Sequence, residues 1–163
     1  MEYRLILLLL LFSGCATAAK ETVAVPSAIP NQDRAVVVRN NAHGCMALAM
    51  YWEARGEGAR GMLAVGSVVR NRVKSADFPD SVCAVVKQGG ERPPCQFSWW
   101  CDGKSDRPRN SVQWHKAQTL AGQIIAGEHR DITEGALFFH TTGIARPWDR
   151  PLTKRIGNHL FYR

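Results

Sequence analysis

The chain has 163 residues, enough for one domain of moderate size with a single hydrophobic core, together with short additional segments. Its formal net charge of +7 at pH 7 favours polyanionic partners. The basic residues are dispersed among apolar positions and form no dense Lys/Arg block, so the charge pattern argues against a nucleic-acid-binding protein.

The first 14 residues have the pattern of a secretion signal. Arg4 is followed by the uninterrupted apolar run Leu5–Phe12, which is too short to span a bilayer as a permanent helix. The run ends in FSGC, which resembles a bacterial lipobox, although Phe12 stands where leucine is usual. We therefore predict a lipoprotein-type signal peptide over residues 1–14, with lipidation of Cys15 and anchoring in a membrane.

Plain secretion is the alternative, because the small residues ATAA at 16–19 also offer a cleavage site. Residues 15–40 hold Pro26, Pro30 and scattered polar residues without a helical period, and we predict a tether there. For an exported protein, the positive charge fits cell-wall carboxylates or membrane headgroups better than nucleic acid.

Four cysteines remain in the folded part: Cys45, Cys83, Cys95 and Cys101. An even number in an oxidising compartment indicates two disulfides, for which three connectivities exist. Because Cys95 and Cys101 bracket the short stretch QFSWW, we predict that they pair and that Cys45 joins Cys83. The alternative is a metal site assisted by His43, but the spacing is not that of structural zinc, so we expect neither metal nor cofactor.

Apolar residues recur at helical spacing in three segments. The first predicted helix covers 42–54, with Cys45, Leu48, Ala49 and Trp52 on its apolar face, and ends where glycines begin at Gly56. A second helix is predicted over about 60–73. A third begins near Ser111, a candidate N-cap, and ends at Gly127.

The remaining segments complete an α+β class that is mainly helical. Residues 78–110 are predicted to be irregular, and the short aromatic stretches ALFFH (136–140) and HLFYR (159–163) are predicted to be paired strands. We therefore predict one domain over 41–163 with a small β element near the C-terminus.

Two glutamates four residues apart, Glu53 and Glu57, stand where the first helix meets the glycines. At Glu53 the negative end of the helix dipole and the apolar neighbours Met50 and Trp52 both act to raise the pKa of the carboxyl. A carboxyl that stays protonated near neutral pH is suited to general acid catalysis of glycosidic cleavage. A solvated helix-end glutamate is the alternative. For Glu57 we favour a structural role, as a charge at a helix start or the partner of an arginine.

The stretch ALAMYWEARGEGARGMLAVGSVVRNRV, followed by FPDSVCAVV, CQFSWWCDG and a terminal HLFYR, resembles the bacterial cell-wall hydrolases of the SleB/CwlJ type. The similarity covers roughly residues 42–163. The resemblance implies a lysozyme-like fold, peptidoglycan as substrate, and lytic transglycosylation between N-acetylmuramic acid and N-acetylglucosamine. It also implies that the first glutamate of EARGE, which is Glu53, is the essential acid.

Around this acid we predict a set of substrate-contacting side chains: Gln96, Phe97, Ser98, Trp99, Asn71, His140 and Tyr162. In QFSWW the polar groups would bind N-acetyl and hydroxyl groups, and the aromatic rings would face a sugar. Inward packing of the aromatic residues is an equal alternative, as is backbone capping by Asn71. Arg55, Arg72 and Arg155 would attract peptide carboxylates without taking part in the chemistry.

Two other functions are compatible with parts of this pattern. A non-catalytic peptidoglycan-binding lipoprotein would also use a tether, a basic surface and an aromatic cleft, but it has no need of a glutamate in an unfavourable position. A zinc-dependent amidase would have to draw its ligands from scattered positions: His43, Cys45, His140 and Asp149.

Overall fold

The computed structural model describes residues 41–145 and 148–163. The predicted signal peptide (1–14), the tether (15–40) and the lipidation site Cys15 lie outside the described residues and stay predictions. Within the described part of the chain, no helix combines the length and the apolar character that crossing a bilayer requires.

The described part is mainly helical, with one small sheet, as the sequence predicts. Its α-helices are α1 (Ala42–Ala54), α2 (Gly58–Lys74), α3 (Val82–Val86) and α4 (Ser111–Ile125), and a 3-10 helix covers Ser98–Trp100. Its strands are β1 (Phe138–Thr141), β2 (Leu152–Ile156) and β3 (His159–Tyr162). The lysozyme-like class implied by the resemblance stays a prediction.

Helix α1 is the centre of the core. It packs against α2, α3 and α4, and every residue from Gly44 to Tyr51 is buried. The sequence predicted one apolar face, but this stretch is apolar all round, which is typical of a helix enclosed on all sides. Trp52 is only partly buried, at the edge of the enclosed region. The C-terminal end of α1 therefore lies at the boundary between the core and the surface.

Close packing of the helices depends on a glycine in α2. A Cβ on Gly66 would overlap Ile124 of α4 and would crowd the sulfur of Met50 in α1. A larger residue there would force the three helices apart, and overpacking of this kind is destabilising.

Three of the four α-helices in the described residues begin at a side-chain cap. Asn41 accepts a hydrogen bond from the Gly44 amide at the start of α1, and Ser81 accepts one from Ala84 at the start of α3. For α4 the cap is Asn110, whose Oδ1 accepts from the Gln113 amide at 3.0 Å. The prediction of Ser111 as the cap was therefore wrong by one residue. An asparagine satisfies the free helix-end amide equally well.

The sheet has three antiparallel strands in the order β1-β3-β2. The predicted pairing of the two aromatic segments is confirmed, with Phe138 opposite Tyr162, but β2 was not predicted. One face of the sheet packs Phe139 and Phe161 against α2, where they form a second small core with Val68. The other face carries Phe138, His140 and Tyr162 beneath Trp148.

Both predicted disulfides are present. The Cys45–Cys83 bond joins α1 to α3, and the Cys95–Cys101 bond closes the loop that contains the 3-10 helix. Residues 78–110, which the sequence predicted to be irregular, therefore contain two short helices held by the disulfides.

Candidate active site

Glu53 lies in the last turn of α1, and the residue as a whole is half-buried. Burial raises the pKa of Glu53 from 4.5 to about 7, and the Trp99 side chain and the Arg72 charge oppose that rise. Both the protonated and the ionised form of Glu53 are therefore accessible near neutral pH. This is the protonation behaviour required of a group that first donates and then accepts a proton.

Trp99 brings an N–H donor to this carboxyl. Trp99 is 8% exposed. Its side chain interacts with the Glu53 carboxyl and lowers the pKa of Glu53, although its indole N–H makes no hydrogen bond of regular geometry in the described residues. The ring stacks on Trp52 with centroids 6.5 Å apart. Because Trp99 lies in the 3-10 helix inside the Cys95–Cys101 loop, the disulfide limits how far this donor can move.

Arg72 brings a positive charge from the second helix. It is 4% exposed, and its Nε donates a hydrogen bond to the Leu137 carbonyl at 2.7 Å. Its guanidinium carbon lies 5.0 Å from the ring centroid of Phe78 and 5.7 Å from that of Phe97. Burial lowers the pKa of Arg72 to about 10, and the charge of Glu53 opposes that shift, so Arg72 stays charged at neutral pH.

The sequence predicted only a remote role for Arg72, in the attraction of peptide carboxylates. Because its charge acts on Glu53 and its side chain is enclosed, its position instead suits stabilisation of the Glu53 carboxylate after proton transfer. The helical period places Arg72 in the enclosed part of α2, but no pattern in the sequence indicates that it faces α1.

Glu57 has a structural partner that the sequence did not indicate. It occupies the N-cap position of α2 without capping it, and its Oε1 lies 3.0 Å from His159 Nδ1 in β3. Both side chains are largely buried, 12% exposed for Glu57 and 3% for His159. The structural role predicted for Glu57 therefore consists of a contact with a histidine rather than with an arginine.

A groove of about 1110 Å³ opens beside the end of α1. One wall is formed by Tyr51, Trp52, Arg55 and Trp99, and the opposite wall by the segment 102–113. That segment is fastened to α1, because the Tyr51 hydroxyl accepts hydrogen bonds from the amides of Arg109 and Asn110, and Trp52 Nε1 donates to the Asp106 carbonyl. The two walls of the groove are therefore held together by hydrogen bonds of the fold.

The residues of QFSWW have different environments. Phe97 is 1% exposed and packs against Trp99 and Phe139, so its ring is a core group and cannot meet a sugar. The prediction of Phe97 as a substrate contact is thereby corrected. Gln96 and Ser98 are exposed on the same loop, and only Trp99 of the predicted set lines the groove.

Asn71 supports a loop instead of facing the groove. Its Nδ2 donates to Asp131 Oδ2 at 2.8 Å and to the Ala136 carbonyl at 3.1 Å. Although burial alone would raise the pKa of Asp131, hydrogen bonds from Thr133, Asn71 and Gly135 lower it overall. The Asn71 amide donates to partners 60 and 65 residues along the chain, so it neither faces the groove nor caps local backbone, which was the alternative.

His140 and Tyr162 contact each other. His140 Nε2 lies 2.9 Å from the Tyr162 hydroxyl, the two rings stack, and both side chains are buried, at 7% and 2% exposure. Neither residue lines the large groove. The two side chains therefore do not form the far wall of that groove, and their role as substrate contacts stays a prediction.

The ligands considered for a zinc amidase are separated or occupied. Cys45 is in a disulfide, His43 Nε2 lies 2.8 Å from the Gln118 carbonyl, and His140 is stacked on Tyr162. In residues 41–145 and 148–163, no group of three or more histidine, cysteine, aspartate or glutamate side chains has a metal-binding arrangement.

The site thus brings together Glu53 and Trp99 from the predicted set and adds Arg72, Trp52 and the 102–113 segment. The segment was missed because it is polar and aperiodic, with no pattern typical of a binding loop. The sequence nonetheless held one indication of the groove, because Trp52 and Arg55, which line it, lie next to Glu53 at the end of the apolar run.

Residues 56–162 match the cell wall hydrolase family. The chain belongs to that family. The matched segment begins three residues after Glu53, so the match itself does not include the candidate acid.

Curated relatives of this cell wall hydrolase domain are spore cortex-lytic enzymes. That of Bacillus subtilis is 34% identical over 125 residues, covering 75% of this chain and 37% of the relative. That of Oceanobacillus iheyensis is 33% identical over 152 residues, covering 91% of this chain and 48% of the relative. The chain therefore spans less than half the length of these relatives.

Two solved structures are similar to the domain. The catalytic domain of the germination-specific lytic transglycosylase SleB from Bacillus anthracis has a TM-score of 0.60 and 32% identity, and the similarity covers 85% of this chain and all of that one. The catalytic domain of the Bacillus cereus SleB protein has a TM-score of 0.57 and 30% identity, covering 77% of this chain and 88% of that one. The similarity therefore extends over nearly the whole of each catalytic domain.

Proposed function

We propose that the domain cleaves peptidoglycan glycan strands between N-acetylmuramic acid and N-acetylglucosamine by lytic transglycosylation. The observation that carries the proposal is the Glu53 carboxyl, whose pKa is raised by burial to about 7. Its partner Trp99 and its chain neighbour Trp52 line a groove of about 1110 Å³. Membership of the cell wall hydrolase family supports the substrate. The similar Bacillus anthracis catalytic domain is that of a lytic transglycosylase, which supports the reaction type.

In the first step, protonated Glu53 donates its proton to the oxygen that bridges muramic C1 and the next sugar. The C1–O bond breaks, the leaving sugar keeps the proton as a hydroxyl, and positive charge develops at C1 and the ring oxygen. Glu53 becomes a carboxylate, which is stabilised by the charge of Arg72 and the N–H of Trp99. The step needs one acid, and the structure supplies one with a suitable pKa.

In the second step, the C6 hydroxyl of the same muramic residue attacks C1. The Glu53 carboxylate accepts the proton of that hydroxyl, so the enzyme returns to its starting state. The product has a 1,6-anhydro end, and no water is consumed. A hydrolase would add water at C1 instead and would leave a product heavier by one water.

The test is digestion of purified sacculi by the full chain, with products separated and weighed by mass spectrometry. Glu53→Gln removes the proton donor while keeping the shape of the side chain. Glu128→Gln is the matched control, because Glu128 is an exposed glutamate just beyond the end of α4. We expect anhydro-muramic products from the wild type and from the control, and a loss of at least about a thousandfold in Glu53→Gln.

The other outcomes decide between named alternatives. Products heavier by one water would replace transglycosylation by hydrolysis while keeping Glu53 as the acid. Equal activity of Glu53→Gln and the control would remove Glu53 from the mechanism. Intact sacculi that retain the protein would favour the non-catalytic binding lipoprotein.

We further propose that the chain is exported and anchored through acylated Cys15, which would place the domain next to its substrate. The apolar run before Cys15 supports this proposal. Cells that express the wild type and Cys15→Ala are labelled with an alkyne fatty acid. We expect label and membrane association in the wild type alone; a labelled Cys15→Ala variant, or an unlabelled wild type released by salt, would overturn the anchor.

A further inference from the structure

The groove beside Glu53 carries charge of both signs, although a glycan backbone of N-acetylated sugars is neutral. Its lining includes the cations Arg55, Lys104 and Arg109 and the carboxylates of Asp102 and Asp106. The three cations and Asp102 are exposed, whereas Asp106 is 6% exposed. A neutral sugar chain gives little reason for three exposed cations to line one groove together with its aromatic wall.

The cations reach the groove from different parts of the fold. The guanidinium carbon of Arg55 lies 4.5 Å from the ring centroid of Trp52 and 5.1 Å from that of Tyr51. The backbone of Arg109 is fixed by its amide, which donates to the Tyr51 hydroxyl at 3.1 Å. Lys104 Nζ lies 3.8 Å from Asp102 Oδ2, and the Lys104 side chain is 83% exposed, so it lies at the open side of the groove, toward solvent. The positive charges therefore converge on one groove from two separate elements.

The lining also has an unused hydrogen-bond acceptor. Gln113 Oε1 is buried and has no hydrogen-bond partner in the described residues, and Gln113 lines the groove. A buried carbonyl without a partner is unfavourable unless a ligand supplies an N–H. Peptide amides and ammonium groups supply such donors.

We propose that this groove binds the peptide stem attached to the muramic acid, so that the domain selects glycan strands that carry stems. A stem has several carboxylates for Arg55 and Arg109, amide N–H groups for Gln113, and, where it contains a diamino acid, an ammonium for Asp102. This inference rests on the proposed function. It deepens that function by naming the part of the substrate that the groove would recognise.

The position of the groove agrees with the covalent structure of the substrate. The stem leaves the muramic residue whose C1 would be cleaved, so a stem site must adjoin the acid. Trp99 links the groove to the acid, because its side chain interacts with Glu53 and also lines the groove. Trp52, another lining residue, directly precedes Glu53 in the helix. A stem in the groove would therefore position the scissile bond near Glu53.

The test compares stem-bearing sacculi with the same material stripped of stems by an amidase, which leaves one lactyl carboxylate on each muramic residue in place of the several charges of a stem. The quantity compared is the kcat/KM for release of anhydro products. Arg109→Glu reverses a groove charge but keeps the backbone amide that holds the loop, and Lys104→Glu reverses the charge at the open side. Arg130→Glu is the control, because Arg130 is exposed and outside the groove lining. Each groove variant is expected to lower the preference for stem-bearing material about fivefold through KM, and the control to keep it.

A parallel measurement does not depend on catalysis. The free stem tripeptide L-Ala–D-Glu–diaminopimelate is titrated into the full chain by calorimetry, with the same variants. We expect saturable binding that Arg109→Glu weakens. Equal loss on stem-bearing and stripped strands would assign the groove to the glycan, and tripeptide binding that is absent or unaffected by Arg109→Glu would overturn the stem site. Absence of anhydro products from both substrates, with tripeptide binding intact, would overturn the proposed function and leave the stem site standing.

Discussion

At the scale of single residues, the chemistry depends on how strongly burial outweighs the groups that stabilise a charge on Glu53. Burial alone favours the protonated form, while Trp99 and Arg72 favour the carboxylate. The resulting pKa of about 7 leaves both forms available near neutral pH. This balance is what allows one side chain to serve as acid and then as base.

The raised pKa of Glu53 predicts a pH-dependent stability difference. In the unfolded chain the carboxyl loses its proton near 4.5, whereas in the folded chain it keeps the proton until about 7. Between these values the folded state binds the extra proton, so its stability falls as pH rises. Relative to Glu53→Gln, the wild type should lose roughly 3 kcal/mol between about pH 4 and pH 8.

Urea unfolding of both proteins across this pH range measures the difference. Glu128→Gln serves as the control, because removing an exposed carboxylate should give a curve parallel to that of the wild type. If the wild-type and Glu53→Gln curves are also parallel, Glu53 titrates as an ordinary exposed glutamate and burial does not govern it.

Arg72 should set the alkaline limit of activity. Because its charge lowers the pKa of Glu53, Arg72→Gln should let Glu53 keep its proton to a higher pH. The alkaline limb of kcat/KM against pH should then move upward by up to about one unit, while Arg72→Lys keeps the charge and should keep the limb near that of the wild type. An unmoved limb in a folded Arg72→Gln variant would assign Arg72 to packing alone.

At the scale of elements, the first turn of α2 and the β2–β3 turn are joined by a buried contact. Glu57 and His159 meet there, and Gly157 passes so close that a Cβ on it would overlap the Glu57 carboxyl. The φ of Gly157 is +56°, in the left-handed region that favours glycine. This contact fixes the sheet relative to the helix pair that carries Glu53 and Arg72.

A double-mutant cycle tests that contact. Replacing one partner by leucine leaves the other polar group buried and unpaired, so Glu57→Leu and His159→Leu should each cost about 2 kcal/mol. The double variant should lose clearly less than the sum of the two, because the partners are coupled. The exposed pair of Lys154 and Glu134 is the matched control and should show coupling below about 1 kcal/mol. Additive losses in the buried pair would show that the contact is incidental.

The elements differ in how well their sequence predicted them. The bounds of α1 follow from its apolar run and its glycine stop, and the two aromatic strands from their composition. Strand β2 was missed because LTKRI has no aromatic residue and is stabilised mainly by pairing with β3. Likewise, nothing local to Glu57 indicates His159, since the contact arises only when the sheet folds back onto α2. Long-range contacts of this kind have no periodic signature.

At the scale of the whole molecule, the two disulfides act on different properties. The Cys45–Cys83 bond spans 38 residues and joins two helices of the main core, far along the chain from the segment 102–113. The Cys95–Cys101 bond spans six residues and encloses the 3-10 helix that carries Trp99. Loop-closure entropy assigns about 4 kcal/mol to the first and about 2 kcal/mol to the second.

Paired serine substitutions should separate these roles. Cys45→Ser with Cys83→Ser should lower the free energy of unfolding by about 2–4 kcal/mol, while the folded fraction retains its rate of sacculus digestion. Cys95→Ser with Cys101→Ser should cost less stability but should lower the rate, because Trp99 then loses its fixed position beside Glu53 and at the groove. Urea unfolding and digestion rates per folded molecule measure the two effects. Full activity of the variant that lacks Cys95 and Cys101 would show that the packing of Trp99 against Trp52 alone holds the indole in place. The Cys95–Cys101 disulfide would then serve stability only.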